Sequence, residues 1–528
     1  MASEDPGALH PAVRFDGGDL DCGSGLLLLI RQHIDPLLPG QLLEIASSES
    51  SVCEDLPAWC RMTGNELVSE DHGSGRYRFL VSKGKFVAAT GVSPDPQGAR
   101  PRMAARPVLP VRIPESLPPP APVPAIAPLS VMGIGSWPRP RWMLQALHEY
   151  LDGRLPEAEF QATADDATQL ALDAQLVAGV DVVTDGEQRR DNYASFVASR
   201  LDNCQLVPIT DLLPYVEDPD EFERELRALD VPAGKVRHPA VLGPLSRSRP
   251  IAVHELEFLR KRTSLPVKIA LPGPYLLART MWMECISDSA YADREALADD
   301  VVRVLREELH FLLAAGAALV QLDEPVLSEV VFGGAVAGNR SFMCGALGAR
   351  RDVPEELAFA EGLLARVTAG LPAGRLALHV CRGNWTPDES VALRGDYRPL
   401  LGLLSRAPVG TLFLELATPR AGEMGLLAEI PRDKRIGVGV VNQKVPRVET
   451  LDEVLARAER AVSLLGPERV FLNPDCGFAT FADNPVASAE IARGKLAVAV
   501  QASRVLRQRH LGERQVEPAA LSDAPPIG

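Results

Sequence analysis

Apolar and polar residues alternate in two different rhythms along the chain. Before residue 90 the apolar runs are short and mixed. Leu26–Ile34 has helical potential, Gln41–Ala46 reads as a strand after the Pro39-Gly40 turn, and Glu54–Met62 reads as a second helix. Glu66–Ser69 and Tyr77–Ser82 alternate as strands around the turn His72-Gly73-Ser74-Gly75. The predicted order is a small two-layer α/β unit, βαβαββ.

Further on, the chain repeats a longer unit. Arg294–Ala315 is an amphipathic helix stopped by Gly316, and the buried strand Ala317–Leu322 runs into Asp323-Glu324-Pro325. Helix Glu361–Ala369 precedes strand Leu376–Val380, and helix Tyr397–Ser405 precedes strand Leu412–Leu416. Strand Arg435–Val441, helix Leu451–Leu465 and strand Val470–Leu472 follow. Strands alternating with helices at this spacing predict parallel βα units. Polar residues gather at the carboxyl ends of the strands, where a (β/α)8 TIM barrel builds its active site. An open doubly wound sheet would need a glycine-rich phosphate turn after a first strand, and the sequence has none. The expected fold is therefore an α/β TIM barrel preceded by the small α/β unit.

The two parts are separated by residues 87–128, rich in Pro, Ala and Arg. Proline fixes φ and removes amide donors, so this stretch is expected to be extended and semi-rigid, with no core of its own. The predicted boundaries are 10–86 for the head, 87–128 for the linker, 129–512 for the barrel and 513–528 for a loose tail.

Composition narrows the class. Lys plus Arg number 55 against 70 Asp plus Glu, a net charge of −15. Such a chain repels nucleic acid and anionic membranes. Eight cysteines in 528 residues are too sparse for a disulfide-stapled scaffold. Residues 1–21 lack a basic n-region, and no apolar stretch reaches the ~18 residues a membrane helix needs. A cytoplasmic protein is expected, with cysteines that act as thiols or metal ligands.

His379 and Cys381 lie two apart at one strand end, so both point to the same side. Glu415 ends the next strand and Cys476 follows a later one. Two thiolates, an imidazole and a carboxylate form a set that suits tetrahedral zinc. Taken singly, each residue is equally compatible with ordinary core packing.

Longer motifs favour zinc. GIGSWPRP from Gly133, DVVTDGEQRRDNY from Asp181, LPGPYLL from Leu271, VQLDEPVL from Val320, LHVCRGNW from Leu378, LFLELATPR from Leu412 and FLNPDCGF from Phe471 occur in this order. Over residues 130 to 510 the chain resembles the C-terminal catalytic barrel of cobalamin-independent methionine synthase. The resemblance implies zinc held by His379, Cys381, Glu415 and Cys476. A catalytic zinc must admit substrate sulfur, and Glu415, the oxygen ligand, is the candidate to yield. It places Glu187 and Asp323 on the homocysteine amino group and Ile134, Gly135 and Ser136 on its carboxylate, with Asp323 also counted as catalytic.

The sequence departs from that family on the methyl-donor side. The long enzymes carry a second barrel that helps bind folate, and this chain has none. Their pterin-stacking tryptophan falls on Thr280 here, with Trp282 two residues later. In VVNQKVP, Asn442 and Lys444 stand where the long enzymes have an Asp and a His; Lys444 is the candidate for stabilising leaving-group charge. The donor is expected to be a methylcorrinoid or methyltetrahydrofolate.

The head, over residues 14 to 84, resembles a TusA-type sulfur carrier through FDGGDLDC, LLPGQLLEIASSES, DLPAWCRMTGNEL and YRFLVSKG. Cys22 falls on the carrier cysteine. The family pattern Cys-Pro-x-Pro reads Cys22-Gly23-Ser24-Gly25 here, without either proline. Cys53 and Cys60 are expected to be packing residues. The resemblance implies a persulfide on Cys22 and a sulfurtransferase partner. The expected activity is zinc-dependent methyl transfer to homocysteine, giving methionine. The alternatives are sulfur trafficking led by Cys22 and alkyl transfer to another thiol, the latter disfavoured by the ammonium-binding acids.

Overall fold

The structure, a computed structural model, describes residues 11–86 apart from 21–25, 39 and 74–75. It also describes 108–512 apart from 209–236, 284–286, 288–289, 333–351, 385–386, 388, 390–392, 419–423 and 484. Two compact units emerge, a head and a body.

The head contains β1 (Val13–Asp16), α1 (Leu27–Ile34), β2 (Leu42–Ser47), α2 (Val52–Thr63), β3 (Glu66–Gly73) and β4 (Arg76–Ser82), the predicted order. The sheet runs β1-β2-β4-β3. β1 lies parallel to β2, and β4 is antiparallel to both its neighbours. Ile45 pairs with Phe79 and Leu43 with Val81, so these four share one face. Ile30, Ile34, Leu56 and Trp59 of the two helices join them in a single apolar core. Helix α2 stops at Gly64, whose φ of 73° is the left-handed conformation that glycine takes without steric cost.

In the body, β7 (Lys268–Pro272), β8 (Leu319–Asp323), β9 (Leu376–Val380), β10 (Thr411–Leu414), β11 (Arg435–Val441) and β12 (Val470–Pro474) form one sheet in sequence order. Every neighbouring pair is parallel. Two short segments close the ring: Val131 bridges Leu472, Met132 bridges Val182, and Val183 bridges Val267, all parallel. This closure gives the eight positions of a TIM barrel. A separate two-stranded sheet joins β5 (Asp202–Pro208) to β6 (Arg237–Ser246).

Strand alternation divides the buried side chains into two interiors. Val320, Leu322, Leu378, Val380, Leu412, Leu414 and Leu472 belong to the large core that also holds the helices. Their strand neighbours Leu319, Ala377, Phe413 and Phe471 form a second cluster within the ring, together with Met132, Val182 and Ile126. This inner cluster reaches from Leu319, the first residue of β8, up to Phe413, the register partner of His379.

Some helices differ from the sequence expectation at their ends. The helix expected from Glu361 starts at Val353, because Asp352 accepts the amide of Glu355 and Pro354 suits the first turn. The segment around Tyr397 is a 3₁₀ turn, Arg398–Leu400, followed by helix Leu401–Arg406. Helix Leu451–Leu465 matches the expected range and starts with a Thr450–Glu453 capping box.

Residues 108–128 are extended, as their prolines require, and are tied to the body. Asn203 bonds both the amide and the carbonyl of Leu109, at 2.7 and 2.9 Å. Arg112 donates its amide to Ser246 at 2.8 Å, and Ala121 donates to the Leu313 carbonyl at 3.0 Å. Residues 87–107 and the tail 513–528 lie outside the described residues. Among the described residues no helix is long and apolar enough to cross a membrane.

Candidate metal and substrate site

At the carboxyl end of the ring a cavity is lined by Ile134, Ser136, Glu187, Asp323, His379, Cys381 and Cys476, with Tyr193, Pro325, Asn384, Gly477, Thr480 and Phe481 completing it. A ring nitrogen of His379 and the Sγ atoms of Cys381 and Cys476 lie within 4.8 Å of one another. All three residues are buried.

Sheet register builds this cluster. Asp323 and His379 are direct partners across the β8–β9 pair, and Asp323 Oδ1 lies 2.8 Å from His379 Nδ1. Nε2 is buried and has no hydrogen-bond partner among the described residues. A neutral imidazole held at Nδ1 by a carboxylate and bare at Nε2 is the usual state of a metal-binding histidine. Burial opposes a charged ring, but the hydrogen bond and charge of Asp323 outweigh it and raise the His379 pKa. The two thiols share a hydrogen bond. That bond, helped by His379, holds Cys381 below the usual thiol range despite burial. The same bond, with burial and the negative charges of Cys381 and Glu415, pushes Cys476 well above it. The pair therefore favours one thiolate, and a cation would be needed to ionise both. The donor set, buried and lacking a partner at Nε2, fits a thiophilic metal.

Glu415 is buried beside this group, and its charge acts on both thiols. Its Oε2 accepts the amide of Arg382 at 3.0 Å, and it lies outside the three-residue set that converges within 4.8 Å.

Glu187 follows Gly186, and both have positive φ, 55° and 70°. A Cβ on Gly186 would stand 2.8 Å from Trp137 Cβ, and one on Gly135 would meet Glu187 Oε1 at 2.2 Å. Gly135 thus does not line the cavity but makes room for the carboxylate that does. Glu187 Oε2 is buried without a partner among the described residues. Burial raises its pKa to about 7; Arg190, 3.7 Å away, works against this and Asp323 adds to it. Ser136 accepts the amide of Ala479 at its Oγ, 3.2 Å away, and the amide of Phe478 at its carbonyl, 3.1 Å away.

The acid next to Asp323 has a different task. Glu324 receives the amides of Tyr275 and Leu276 at 2.8 and 2.9 Å, capping the helix that starts at Pro274. Burial raises its pKa to about 8 even with those amides.

These contacts bear on a known family. Residues 129–217 and 230–504 match the family model described as cobalamin-independent synthase, catalytic domain. The chain belongs to the cobalamin-independent methionine synthase family. Residues 25–83 match a second model, sulfurtransferase TusA. The methionine synthase of Pyrococcus abyssi (strain GE5 / Orsay) is 27% identical over 393 residues, covering 74% of this chain and 96% of that protein. That of Saccharolobus solfataricus is 26% identical over 379 residues, covering 71% and 94%. A solved B12-independent methionine synthase from Shewanella sp. W3-18-1, in complex with selenomethionine, has 24% identity and a TM-score of 0.55. The alignment covers 73% of this chain and all of that one, so the two share a fold.

Within this synthase-family barrel, the expected donor-side residues do not line the cavity. Lys444 is buried, and its amide is held by Asn442 Oδ1 at 3.0 Å. Thr280 bonds the Leu276 carbonyl at 2.9 Å within its own helix. Trp282 packs against the large apolar core. Arg190 forms a buried ion pair with Glu255 at 2.6 Å, and Arg189 pairs with the partly exposed Asp165, so both are engaged in ion pairs. Cys22 lies outside the described residues, and the TusA match begins just after it.

Tyr193, Asn384, Thr480 and Phe481 were missed from sequence. Tyr193 closes the DNY of a motif that was recognised, while Phe481 follows Cys476 by five residues; only their edge-on contact, 6.4 Å between centroids, shows that they face each other. Asn384 donates to the Gly477 carbonyl at 2.6 Å and to Thr480 at 2.8 Å, tying two strand-end loops together.

Proposed function

We propose that this chain is a zinc-dependent homocysteine S-methyltransferase that makes methionine. One observation carries the reading: the orphaned Nε2 of His379 and two buried thiols converge in the cavity that Glu187 and Asp323 also line. His379, Cys381 and Cys476 would hold the metal with Glu415 as fourth ligand. Bound there, zinc supplies the Lewis acidity that keeps the substrate thiol ionised and nucleophilic at neutral pH.

The remaining steps belong to the protein. Glu187 and Asp323 receive the homocysteine ammonium, and the turn from Ile134 to Ser136 receives its carboxylate. These contacts fix the amino-acid end and leave the thiol facing the cysteines. Glu415, whose Oε2 already accepts the Arg382 amide, would be the ligand that yields to substrate sulfur. Tyr193, Pro325 and Phe481 wall the cavity and exclude water. The methyl group passes from its donor to sulfur as the donor's bond to that carbon breaks, and the thiol proton goes to solvent.

The donor is a methylcorrinoid or methyltetrahydrofolate. Thr280 offers no ring for a pterin, and Trp282 is engaged in the core, which favours the corrinoid. The test is methionine formation by reduced, zinc-loaded protein from homocysteine with methylcobalamin and methyltetrahydrofolate in parallel. Methionine from either donor supports the reading; none from both contradicts it.

The match of the head to TusA supports a second activity, persulfide carriage on Cys22 received from a sulfurtransferase. Mass spectrometry after incubation with a persulfide donor should show one added sulfur on Cys22. Absence of that adduct would remove this role.

A further inference from the structure

Beneath the cavity, four side chains from three adjacent strands form a continuous hydrogen-bonded row. Lys268 Nζ on β7 donates to Gln321 Oε1 at 2.7 Å. Gln321 Nε2 on β8 donates to Asp323 Oδ1 at 2.7 Å, and the same oxygen meets His379 Nδ1 of β9 at 2.8 Å. All four are buried. Neither Lys268 nor Gln321 lines the cavity. Burial lowers the Lys268 pKa to about 7, while the charges of Asp323 and Glu187 favour the ammonium, as does the ring of Phe413, whose centroid lies 4.3 Å away.

The row has a direction. An ammonium carries only donors, so the amide beside it must present its oxygen to Lys268. The amide NH2 then points the other way and needs an acceptor, which Asp323 Oδ1 provides. An acceptor at that position takes the Nδ1 proton of His379, and the imidazole lone pair is left on Nε2. That atom is the buried one without a partner. If the amide turned over, Asp323 would lose a donor and Nδ1–H would lose its preference, with the opposite tautomer presenting N–H to the thiols.

Packing alone does not account for these groups. The neighbouring inner positions are Leu319, Ala377, Phe413 and Phe471, and apolar side chains of the same volume replace buried ion or hydrogen-bond pairs with little loss of stability. What an apolar pair cannot supply is direction. We infer that Lys268 and Gln321 are positioning residues, which fix the proton of His379 on Nδ1 and so set the site's affinity for its metal. This inference rests on His379 being a zinc ligand, as proposed above.

The test uses full-length protein with zinc and Co(II) as probes, read by competition with a chromophoric chelator and by the Co(II) absorption bands. Lys268→Met should weaken zinc binding by about tenfold, since losing partners that orient a metal ligand costs about 10–100-fold in affinity. Gln321→Glu should weaken it at least as much, because adjacent carboxylates must share a proton and the NH2 donor is gone. The double variant K268M/Q321M leaves neither partner of that pair orphaned, so it guards against misfolding, and it should remain weak with shifted Co(II) bands. Val320→Ala, on the same strand but facing the helices, should lower Tm and leave zinc affinity as in wild type. Wild-type zinc affinity and unaltered Co(II) bands in all three row variants would overturn the inference. Wild-type protein that binds no zinc overturns the metal site with it. Zinc binding without methionine formation contradicts only the proposed reaction, because the affinity series is read independently of turnover.

Discussion

On β9, Leu378 and Val380 face the helices, while Ala377 and His379 face the axis of the ring, with Cys381 just beyond the strand end. The same division holds on β8, where Val320 and Leu322 point outward and Leu319, Gln321 and Asp323 point inward. The outer side is apolar along its whole length. The inner side begins apolar and turns polar toward the carboxyl end. Outer residues are held by packing, which is non-directional. Inner ones are held by named partners in a fixed register, so a small chemical change there alters function before it alters the fold.

This contrast can be broken in several places. The largest effect is expected on the inner side: Cys381→Ser and Cys476→Ser should lower methionine formation by more than about 100-fold, beyond the loss from ligand-orienting partners, with zinc content falling in parallel. Elemental analysis beside an activity assay checks this. On the outer side, Leu378→Ala should cost about 2–5 kcal/mol in urea unfolding while the folded protein keeps its zinc. A variant of Leu378 that lost zinc at full stability would erase the distinction between the two faces.

Glu187→Gln is expected to raise the KM for homocysteine and spare zinc content. The Glu187 carboxyl is held at about 7, chiefly by burial. It is ionised above that pH and protonated below, and only the ionised form attracts an ammonium. KM should therefore fall as pH rises through about 7, and this limb should vanish in Glu187→Gln. A retained limb would assign the titration elsewhere. The smallest effect belongs to the head. Cys22→Ser should leave methionine formation unchanged while abolishing any persulfide adduct, since the groups proposed for methyl transfer all lie in the body.

The barrel was legible because its strands end in chemistry. The runs LALHVC and VQLDEP each set a hydrophobic segment against a polar terminus, and parallel strands buried on both faces read as such runs. The helix ends at Val353 and Tyr397 were less clear, because an Asp352 cap and a 3₁₀ turn leave little trace in apolar periodicity. The two closing segments escaped strand recognition, since two bridged residues in each, Val131-Met132 and Val182-Val183, are too short to alternate. In the site, His379, Cys381 and Cys476 were found by spacing and brought together by the fold. The link from Lys268 to His379 was not, since it depends on a register that brings together residues more than a hundred positions apart. Lys444 had the right neighbours in sequence, but in the fold it is buried and is not among the residues that line the cavity.

The most direct test of the central claim is X-ray absorption at the zinc edge, recorded with and without homocysteine. The proposed zinc site predicts two sulfur ligands at about 2.3 Å and two nitrogen or oxygen ligands at about 2.0–2.2 Å in the resting protein. Homocysteine should add a third sulfur as one oxygen ligand is lost. A spectrum without two protein sulfurs, or one that homocysteine leaves unchanged, would contradict the account.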